Sequence, residues 1–248
     1  MEKTVVKALR LLEALSRSAE PRGVTDIAAE LGLTKANAHR LLRTLLAEGH
    51  VRQYPDATYG LTLKMWRLGA RRVESFEVLD AARPVVRELA RASGESVQLG
   101  VPEGTAVVCI DKADGTRLLP GTTILGARVP AHAMASGKAL LAYDDDMSSQ
   151  LQFPLKQYTA STICDEQGLR DELQQIRNSG ISISRGEWLE DVWGIAAPVF
   201  GATGKPIAAI CLWGAKARLS SSVSEEFVAQ VKLAARKISA SERDDAHL

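Results

Sequence analysis

Apolar residues in the first third of the chain recur every three or four positions, the period of an amphipathic helix. This pattern predicts a helix over residues 3–19. The residues on its apolar face are Val5, Ala8, Leu9, Leu12 and Leu15. Two shorter helices are predicted within VTDIAAELGLTKANAHRLLRTLLAEGHV, with Gly32 making the turn between them. Thr25 and Thr34 are the predicted N-caps of these two helices.

Alternating apolar and polar residues replace the helical period after the second of these helices. The runs Val51–Gln53 and Tyr59–Leu63 are predicted strands, separated by the turn signal Pro55-Asp56. A hairpin that directly follows a helix-turn-helix is a wing. The next segment is mostly helical in pattern, with interruptions expected near Gly69 and Pro84.

The second part of the chain, from Glu95 onward, mixes short β-branched runs with helical segments. The strand-like runs are SVQLGV, AVVCIDK, GIAAPVF and PIAAICLWG. Helices are expected near Ser136–Tyr143, Glu166–Asn178 and Ser222–Ser239, and the acidic run Asp144–Asp146 is expected to be a solvated loop. Strands interspersed with helices predict a mixed domain of α and β structure.

Charge is distributed unevenly along the chain. Residues 1–74 contain 13 Lys and Arg against 8 Asp and Glu, a net charge of +5. The whole chain has 31 and 30, so the remainder has 18 against 22, a net charge of −4. A basic front and an acidic back indicate two domains with different partners.

The cysteines and the apolar runs bear on the compartment. Cys109, Cys164 and Cys211 lie far apart and are odd in number, which favours reduced, buried thiols. The N-terminus lacks the pattern of a signal peptide, and no apolar run approaches the ~20 residues that span a bilayer. We therefore expect a cytoplasmic protein without a membrane partner.

Several features of the first domain together predict DNA binding. A small Ala28, a turn at Gly32, an apolar stripe on the second helix and a wing all agree. A helix of about 14 residues is about 20 Å long and fits a major groove. Asn can pair with adenine and Arg with guanine, while the start of the helix can contact phosphate. The candidate DNA-binding residues are Thr34, Lys35, Asn37, His39, Arg40, Arg43 and, in the hairpin, Arg52.

The stretch RVPAHAMASGKALLA, residues 128–142, contains groups that suggest chemistry. A P-loop requires Gly six residues before Lys138, where this chain has His132. A Ser-Lys nucleophile requires a spacing of three residues, and Ser136 lies two residues before Lys138. Two interpretations remain open. The small residues leave room for a ligand beside a helix that begins at Ser136, or they allow close packing of the helix on a sheet.

The order of motifs resembles that of the IclR family of bacterial transcription regulators. The similar segments include LLRTLLAEGHVRQ, YGLTLKMWRLG, LDAARPVVRELARASGESVQLGV, RVPAHAMASGKALLA and SRGEWLEDVWGIAAPVFGATGKPIAAICLWG. The resemblance implies an α+β protein with a winged helix-turn-helix (1–63), a linker helix (64–78) and a GAF-like effector-binding domain (79–248). It also implies homodimers or tetramers on double-stranded operator DNA, and control of catabolic operons by small metabolites, without a cofactor.

The resemblance further implies an effector site with two walls. The residues that match the family's effector-contacting positions are Ala135, Ser136, Ser184, Gly194, Cys211 and Trp213. The chain departs from the family pattern at Asp191, Gly194 and Trp213, where Gly, Cys and a small polar residue are usual. Trp188, Trp193 and Trp213 cluster in this region, as core residues or as aromatic walls. We therefore expect an aromatic or hydrophobic acid as effector.

Two other functions compete with a ligand-responsive regulator. An enzyme fused to a DNA-binding domain requires a nucleophile–base pair or paired carboxylates, and none has suitable spacing. A metal-responsive regulator requires converging ligands such as His132, Cys211 and Glu187.

Overall fold

The computed structural model describes residues 1–117, 124–220 and 224–244. The chain divides into two compact units, Met1–Ser75 and Phe76–Leu248. Ser222, where the last predicted helix was to begin, and residues 245–248 of the second predicted domain lie outside the described residues. No helix of the described ranges is both long and apolar enough to cross a membrane.

The first unit is a winged helix-turn-helix. Its elements are α1 (Lys3–Ser16), β1 (Arg22–Gly23), α2 (Val24–Glu30), α3 (Lys35–Ala47), β2 (Val51–Gln53), β3 (Thr58–Leu61) and α4 (Leu63–Glu74). The three strands form an antiparallel sheet in the order β1-β3-β2. Its core is formed by α1, α2, α3 and the hairpin. The buried residues are Leu11, Leu12, Leu15, Ile27, Leu41, Leu42, Leu45, Val51 and Tyr59.

The first helix differs from its prediction in length and in orientation. It ends at Ser16 rather than residue 19, because the Ser18 hydroxyl donates to the Glu20 carbonyl (2.6 Å) in the following turn. Leu12 and Leu15 face the core as expected, together with Leu11 and Ala14. Val5 and Leu9 were expected on the buried face and are instead 54% and 55% exposed. The core covers only the C-terminal half of α1.

Two boundaries in this unit also differ. Gly23, not Thr25, is the N-cap of α2, because Gly23 pairs with Thr58 in the sheet and the helix starts directly afterwards. The second hairpin strand ends at Leu61, because the Thr62 hydroxyl accepts a hydrogen bond from Lys64 N (3.2 Å) and caps α4. Gly69 does not interrupt α4.

The second unit is a six-stranded antiparallel sheet with helices on both faces. Its elements are α5 (Val78–Ser93), β4 (Ser96–Glu103), β5 (Ala106–Ala113), β6 (Arg128–Pro130), a 3-10 turn (Ala131–Ala133), α6 (Ala135–Leu141), α7 (Asp145–Ser149), α8 (Glu166–Ser179), β7 (Ser182–Arg185), β8 (Val192–Phe200), β9 (Pro206–Ala215), α9 (Lys216–Leu219) and α10 (Ser224–Asp244). The strand order is β6-β5-β4-β9-β8-β7. The α+β class expected from the sequence is confirmed.

The two faces of the sheet carry separate cores. Helices α5 and α10 cover one face, where alternate residues of β4, β8 and β9 are buried. Helices α6 and α8 cover the other face with the intervening residues, including Ala196, Ala209, Cys211 and Trp213. Because both faces are covered, the strands read as nearly continuous apolar runs.

Two predictions for this unit are corrected, and two strands were missed. Pro84 lies inside α5 and does not end it. The acidic run is not a loop, because the Asp144 carboxylate accepts a hydrogen bond from Met147 N (2.9 Å) and caps α7. The short edge strands β6 and β7 were not predicted. They form because each pairs with a longer strand at the edge of the sheet, β6 with β5 and β7 with β8.

Candidate functional site

The helix-turn-helix is closed by the residues that the sequence indicates. Gly32 has a φ of +61°, a backbone conformation that Gly adopts without steric cost. Leu33 N donates to the Ala28 carbonyl (2.9 Å), which closes the turn between α2 and α3. The Thr34 hydroxyl accepts a hydrogen bond from Asn37 N (3.2 Å) and caps α3, as predicted. The polar start of α3 is therefore held in place by its own sequence.

Helix α3 presents the predicted polar residues on the side opposite its apolar stripe. Its stripe of Ala38, Leu41, Leu42 and Leu45 is buried. The exposed residues are Thr34, Lys35, His39, Arg40 and Arg43, and Asn37 is half-buried. The Arg40 guanidinium donates to Asn37 Oδ1 (3.3 Å), which aligns two of the candidate base-reading groups.

The face defined by these residues is electropositive. Residues 34–47 contain no Asp or Glu. Among the described residues, Lys35, Arg40 and Arg43 have no carboxylate partner. Exposed cations without partners attract the phosphate backbone of a nucleic acid.

The hairpin places its own cation beside an aromatic ring. The exposed Arg52 guanidinium lies 4.6 Å from the centre of the Tyr54 ring. The turn is held by Asp56, whose Oδ1 accepts hydrogen bonds from Thr58 N (3.1 Å) and Oγ1 (2.6 Å). These hydrogen bonds also lower the pKa of Asp56. The wing is thus an ordered element that carries one of the predicted DNA-binding residues.

The second unit contains a cavity of about 290 Å³. Two walls of the predicted effector site meet there, from the segment that enters α6 and from β7, β8 and β9. The lining residues are Ile124, Ala127, Arg128, Val129, Met134, Ala135, Ser184, Trp188, Leu189, Val192, Trp193, Gly194, Cys211 and Trp213. The wall is therefore mainly apolar and includes all three tryptophans of this unit.

The structure brings five of the six predicted effector residues together in this wall. They are Ala135, Ser184, Gly194, Cys211 and Trp213. Ser136 is not among the lining residues, since its side chain is fully buried and its Oγ has no hydrogen-bond partner in the described part of the chain. The helix starts one residue earlier than expected, at Ala135 after the cap residue Met134, which directs Ser136 into the protein.

The small residues of RVPAHAMASGKALLA serve both close packing and the cavity. A Cβ built on Gly137 would lie 2.2 Å from the Cα and carbonyl oxygen of Ala131. Only Gly therefore allows α6 to approach the 3-10 turn. Ala135, by contrast, lines the cavity. Both interpretations of this stretch hold, each for different residues.

Gly194 and Cys211 keep one part of the wall small and uncharged. A Cβ on Gly194 would lie 3.3 Å from Ala135 Cβ and 3.4 Å from Cys211 Sγ. Burial raises the pKa of the Cys211 thiol to about 12, although hydrogen bonds to the backbones of Ser136 and Ile195 act in the opposite direction. The thiol is neutral at physiological pH and forms an apolar surface.

The cavity offers few polar groups to a ligand. Arg128 is the one charged residue among the described residues of its wall, and its Nε donates to Glu103 Oε2 (2.7 Å). Trp193 Nε1 is buried without an acceptor among the described atoms. Trp188 packs against Tyr158 with ring centres 4.4 Å apart. Arg128 was not among the predicted effector residues, although it is the first residue of the stretch RVPAHAMASGKALLA.

A buried ionic cluster supports both walls of the cavity, and sequence reasoning missed it too. Lys138 is fully buried, and its Nζ donates to Glu172 Oε1 (2.7 Å), Glu187 Oε1 (2.8 Å) and the Ile183 carbonyl (3.1 Å). Glu187 directly precedes the lining residue Trp188. The lysine that suggested phosphate chemistry therefore joins α6, α8 and the chain after β7.

His132 and Glu187, two of the three residues weighed as metal ligands, have other contacts. His132 Nε2 makes a hydrogen bond to the Lys156 carbonyl (2.9 Å). Glu187 binds Lys138. Within the described ranges, no group of three or more His, Cys, Asp or Glu residues is placed to hold a metal ion.

Two family models match the chain. The IclR helix-turn-helix domain matches residues 4–55, and the bacterial transcriptional regulator IclR C-terminal model matches residues 70–240. Relatives are similar over nearly their full length. The regulator KdgR of Escherichia coli K12 is 33% identical over 241 residues, covering 96% of this chain and 91% of that protein. The repressor AllR of Escherichia coli UTI89 is 32% identical over 251 residues, covering 98% and 91%.

Solved structures show the same fold. IclR of Thermotoga maritima aligns with a TM-score of 0.80 and 26% identity, covering 98% of this chain and 100% of that one. An IclR homolog from Microbacterium hydrocarbonoxydans, complexed with 4-hydroxybenzoate, aligns with a TM-score of 0.82 and 23% identity, covering 98% and 100%.

Proposed function

The chain belongs to the IclR family of bacterial transcriptional regulators, and from that premise we propose that an aromatic or hydrophobic acid is its effector and that it controls a catabolic operon in the cytoplasm. The coarser function is that of a ligand-responsive DNA-binding regulator, not an enzyme. We further propose the division into a DNA-binding domain (1–63), a linker helix (64–78) and an effector-binding and oligomerisation domain (79–248).

The observation that carries the effector proposal is the composition of the cavity wall. Three tryptophans, two alanines and a glycine shape about 290 Å³, a volume at the lower end of the small-molecule range and suited to a single ring. Aromatic side chains favour an aromatic ligand through stacking or edge contacts. Arg128 supplies donors for a carboxylate.

The ligand of the Microbacterium homolog suggests a probe. At 23% identity that likeness establishes the fold alone, so 4-hydroxybenzoate enters as a test compound and not as an assignment. The matched control compound is 4-hydroxybenzyl alcohol, which keeps the ring and the hydroxyl but lacks the carboxylate. Pyruvate tests the opposite case of a small acid without a ring.

Titration of intrinsic fluorescence measures binding directly, because three of the four tryptophans line the cavity. We expect a saturable change with at least one aromatic acid, none with pyruvate, and weaker binding of the matched alcohol. Trp213→Leu is expected to weaken binding of the acid several-fold, since aromatic contacts contribute about 0.5–1.5 kcal/mol beyond the buried area. No saturable change with any aromatic acid of a broad panel would refute the proposal.

We also propose the DNA contacts. Asn37, Arg40 and Arg43 would read base edges from α3 in the major groove, and His39 would lie beside them. Thr34 and Lys35 would contact phosphate at the start of α3, and Arg52 would do so from the wing. The exposed cations of α3, which have no carboxylate partner among the described residues, support this assignment.

A gel shift with DNA flanking the protein's own gene tests the operator assignment. We expect a specific complex whose affinity falls steeply with salt, because bound Lys and Arg displace counterions. The effector found by fluorescence should change the affinity, since it shifts the equilibrium between arrangements of the protein. A shift that competitor DNA of any sequence abolishes equally would contradict specific recognition.

We propose a homodimer, or a tetramer built from dimers, reading a palindromic operator. The support is apolar surface on two helices of the first unit. On α4, Leu63, Trp66 and Val73 lie at helical spacing and are 77%, 68% and 37% exposed. On α1, Val5 and Leu9 are also exposed. Light scattering is expected to give at least twice the 26.7 kDa chain mass, and a monomer would refute the proposal.

A further inference from the structure

A second cleft in the effector domain lies apart from the tryptophan-lined cavity. Its volume is about 340 Å³. It is formed by the end of α8, the end of β8, Tyr143 after α6, and one side of α10. The lining residues are Tyr143, Ser179, Gly180, Ala197, Pro198, Phe200, Lys232, Ala235, Arg236, Ser239 and Ala240. It shares no lining residue with the first cavity.

The cleft is electropositive. Lys232 and Arg236 lie one helical turn apart on α10, on the same side of the helix. Neither has an ion-pair or hydrogen-bond partner in the described part of the chain, and no Asp or Glu lines the cleft. The adjacent Lys237 differs, because its Nζ contacts the Glu88 carboxylate at 3.2 Å.

The other wall of the cleft is aromatic and already has its polar groups satisfied. The rings of Tyr143 and Phe200 pack edge to face with centres 5.2 Å apart. The Tyr143 hydroxyl donates to the carbonyls of Ile176 (3.3 Å) and Arg177 (3.2 Å) at the end of α8. Ser239 Oγ donates to the Ala235 carbonyl (2.8 Å) and accepts from Phe200 N (2.9 Å). The polar groups left for a ligand are therefore the two cations.

We propose that this cleft is a second small-molecule site, for an anion that carries an aromatic or apolar body, as an aromatic phosphate ester does. The anion would lie between Lys232 and Arg236, where the guanidinium can donate two parallel hydrogen bonds. The body would lie on the rings of Tyr143 and Phe200. The assignment of this site does not depend on which effector binds the first cavity.

The cleft is built on the same helix and strand as the first cavity. Helix α6 carries the first cavity's Ala135 at its start and is followed by Tyr143 of the cleft. Strand β8 carries Trp193 and Gly194 in one site and Ala197 and Pro198 in the other. The two sites thus lie along the same helix and the same strand, so a ligand in one bears on elements that shape the other.

Calorimetric titration of the full-length protein tests the proposal with matched probes. Phenyl phosphate combines a ring with an anion, inorganic phosphate has the anion alone, and phenol has the ring alone. The variant Lys232→Gln/Arg236→Gln removes the two cations. The control is Lys237→Gln, one residue further along the same helix and outside the cleft.

We expect phenyl phosphate to bind saturably. Affinity should fall at least about tenfold in the double variant, because charge-assisted hydrogen bonds are lost. It should stay within about twofold in Lys237→Gln, whose exposed pair contributes little. The change in tryptophan fluorescence caused by the first-cavity effector should persist in the double variant, because no tryptophan lines the cleft.

Three results would overturn the proposal. Phenyl phosphate does not bind up to about 10 mM, which corresponds to an affinity too weak for a site. The double variant binds as tightly as the wild type, which would place binding elsewhere. Phenol or inorganic phosphate alone binds as tightly as phenyl phosphate, which would show that the ring and the anion are not recognised together.

Discussion

The polar face of α3 and the wall of the tryptophan cavity use charge in opposite ways. On α3, Lys35, Arg40 and Arg43 are exposed and have no carboxylate partner in the described part of the chain. Behind the cavity wall, Lys138 is fully buried and bound to two carboxylates and a carbonyl. The first group of charges is available to a partner, and the second is used within the protein.

This difference predicts how each region responds to substitution. Removing an exposed charge leaves the remaining side chains in water, so stability changes little. Removing a buried charge leaves its partners desolvated and uncompensated, which strongly destabilises the folded protein. We therefore expect binding defects without instability from α3, and instability from the cluster behind the cavity.

The largest effect is expected from Lys138→Met. The change leaves Glu172 and Glu187 facing each other without a cation, and we expect the free energy of unfolding to fall by about 3–5 kcal/mol. Urea unfolding followed by tryptophan fluorescence measures this, because three of the four tryptophans lie in the second unit. In the control Lys237→Met, which breaks an exposed pair, we expect about 0–1 kcal/mol. A loss below about 1 kcal/mol for Lys138→Met would contradict the buried cluster's role.

The next-largest effect concerns stability at alkaline pH, and it again comes from buried groups of the second unit. Burial raises the pKa of Cys211 to about 12 and of Cys109 to about 11, from an ordinary value of 9.0. Because the folded pKa values are raised, the stabilisation is complete below pH 9 and is lost as pH rises, when the unfolded thiols ionise first. Between pH 9 and 11 we expect the free energy of unfolding to fall by up to about 1.4 kcal/mol per pH unit for each thiol.

Comparison with Cys109→Ala/Cys211→Ala isolates this effect from other groups that titrate in the same range. The double variant should be less stable at neutral pH but should show a shallower alkaline decline than the wild type. Equal slopes in the two proteins would show that the thiols are not the source. Cys164 is half-buried and is left unchanged in both.

On the exposed side, Arg40→Ala is expected to weaken operator binding by about 1–3 kcal/mol, because a base contact is lost. Unfolding free energy should stay within about 0.5 kcal/mol of the wild type. Fluorescence anisotropy with labelled operator measures the affinity. Arg170→Ala is the matched control, an exposed arginine of α8 whose ion-pair partner among the described residues is Glu166, four residues earlier. Operator affinity equal to that of the control would remove Arg40 from the base-reading set.

The smallest effect tests an exception to the comparison. Thr34 is exposed on the polar face, yet its hydroxyl caps α3. We expect Thr34→Ala to destabilise α3 by about 1 kcal/mol and Thr34→Ser to have almost no effect, because serine restores the cap. Amide hydrogen exchange of α3 measures the change. Equal protection in both variants would show that the Thr34 hydroxyl does not stabilise α3.

The two regions also differ in how far they could be predicted. The α3 face is one contiguous segment, so its cap, stripe and polar residues follow from helical period and capping chemistry. The cavity is assembled from separated segments around residues 128–135, 184–194 and 211–213. Resemblance to a family located its wall, but an offset of one residue at the start of α6 turned Ser136 away from it.

Length, periodicity and turn residues determined much of this protein by themselves. They placed the helix-turn-helix, the wing and the main strands, because those features depend on neighbours a few residues apart. Only the tertiary structure decided that α1 leaves Val5 and Leu9 exposed, and that β6 and β7 pair at the sheet edges. It alone placed Lys138 against Glu172 and Glu187, which are 34 and 49 residues away in sequence. A buried ion pair leaves no local pattern, since the free energy that selects it arises only when the partners lose water together.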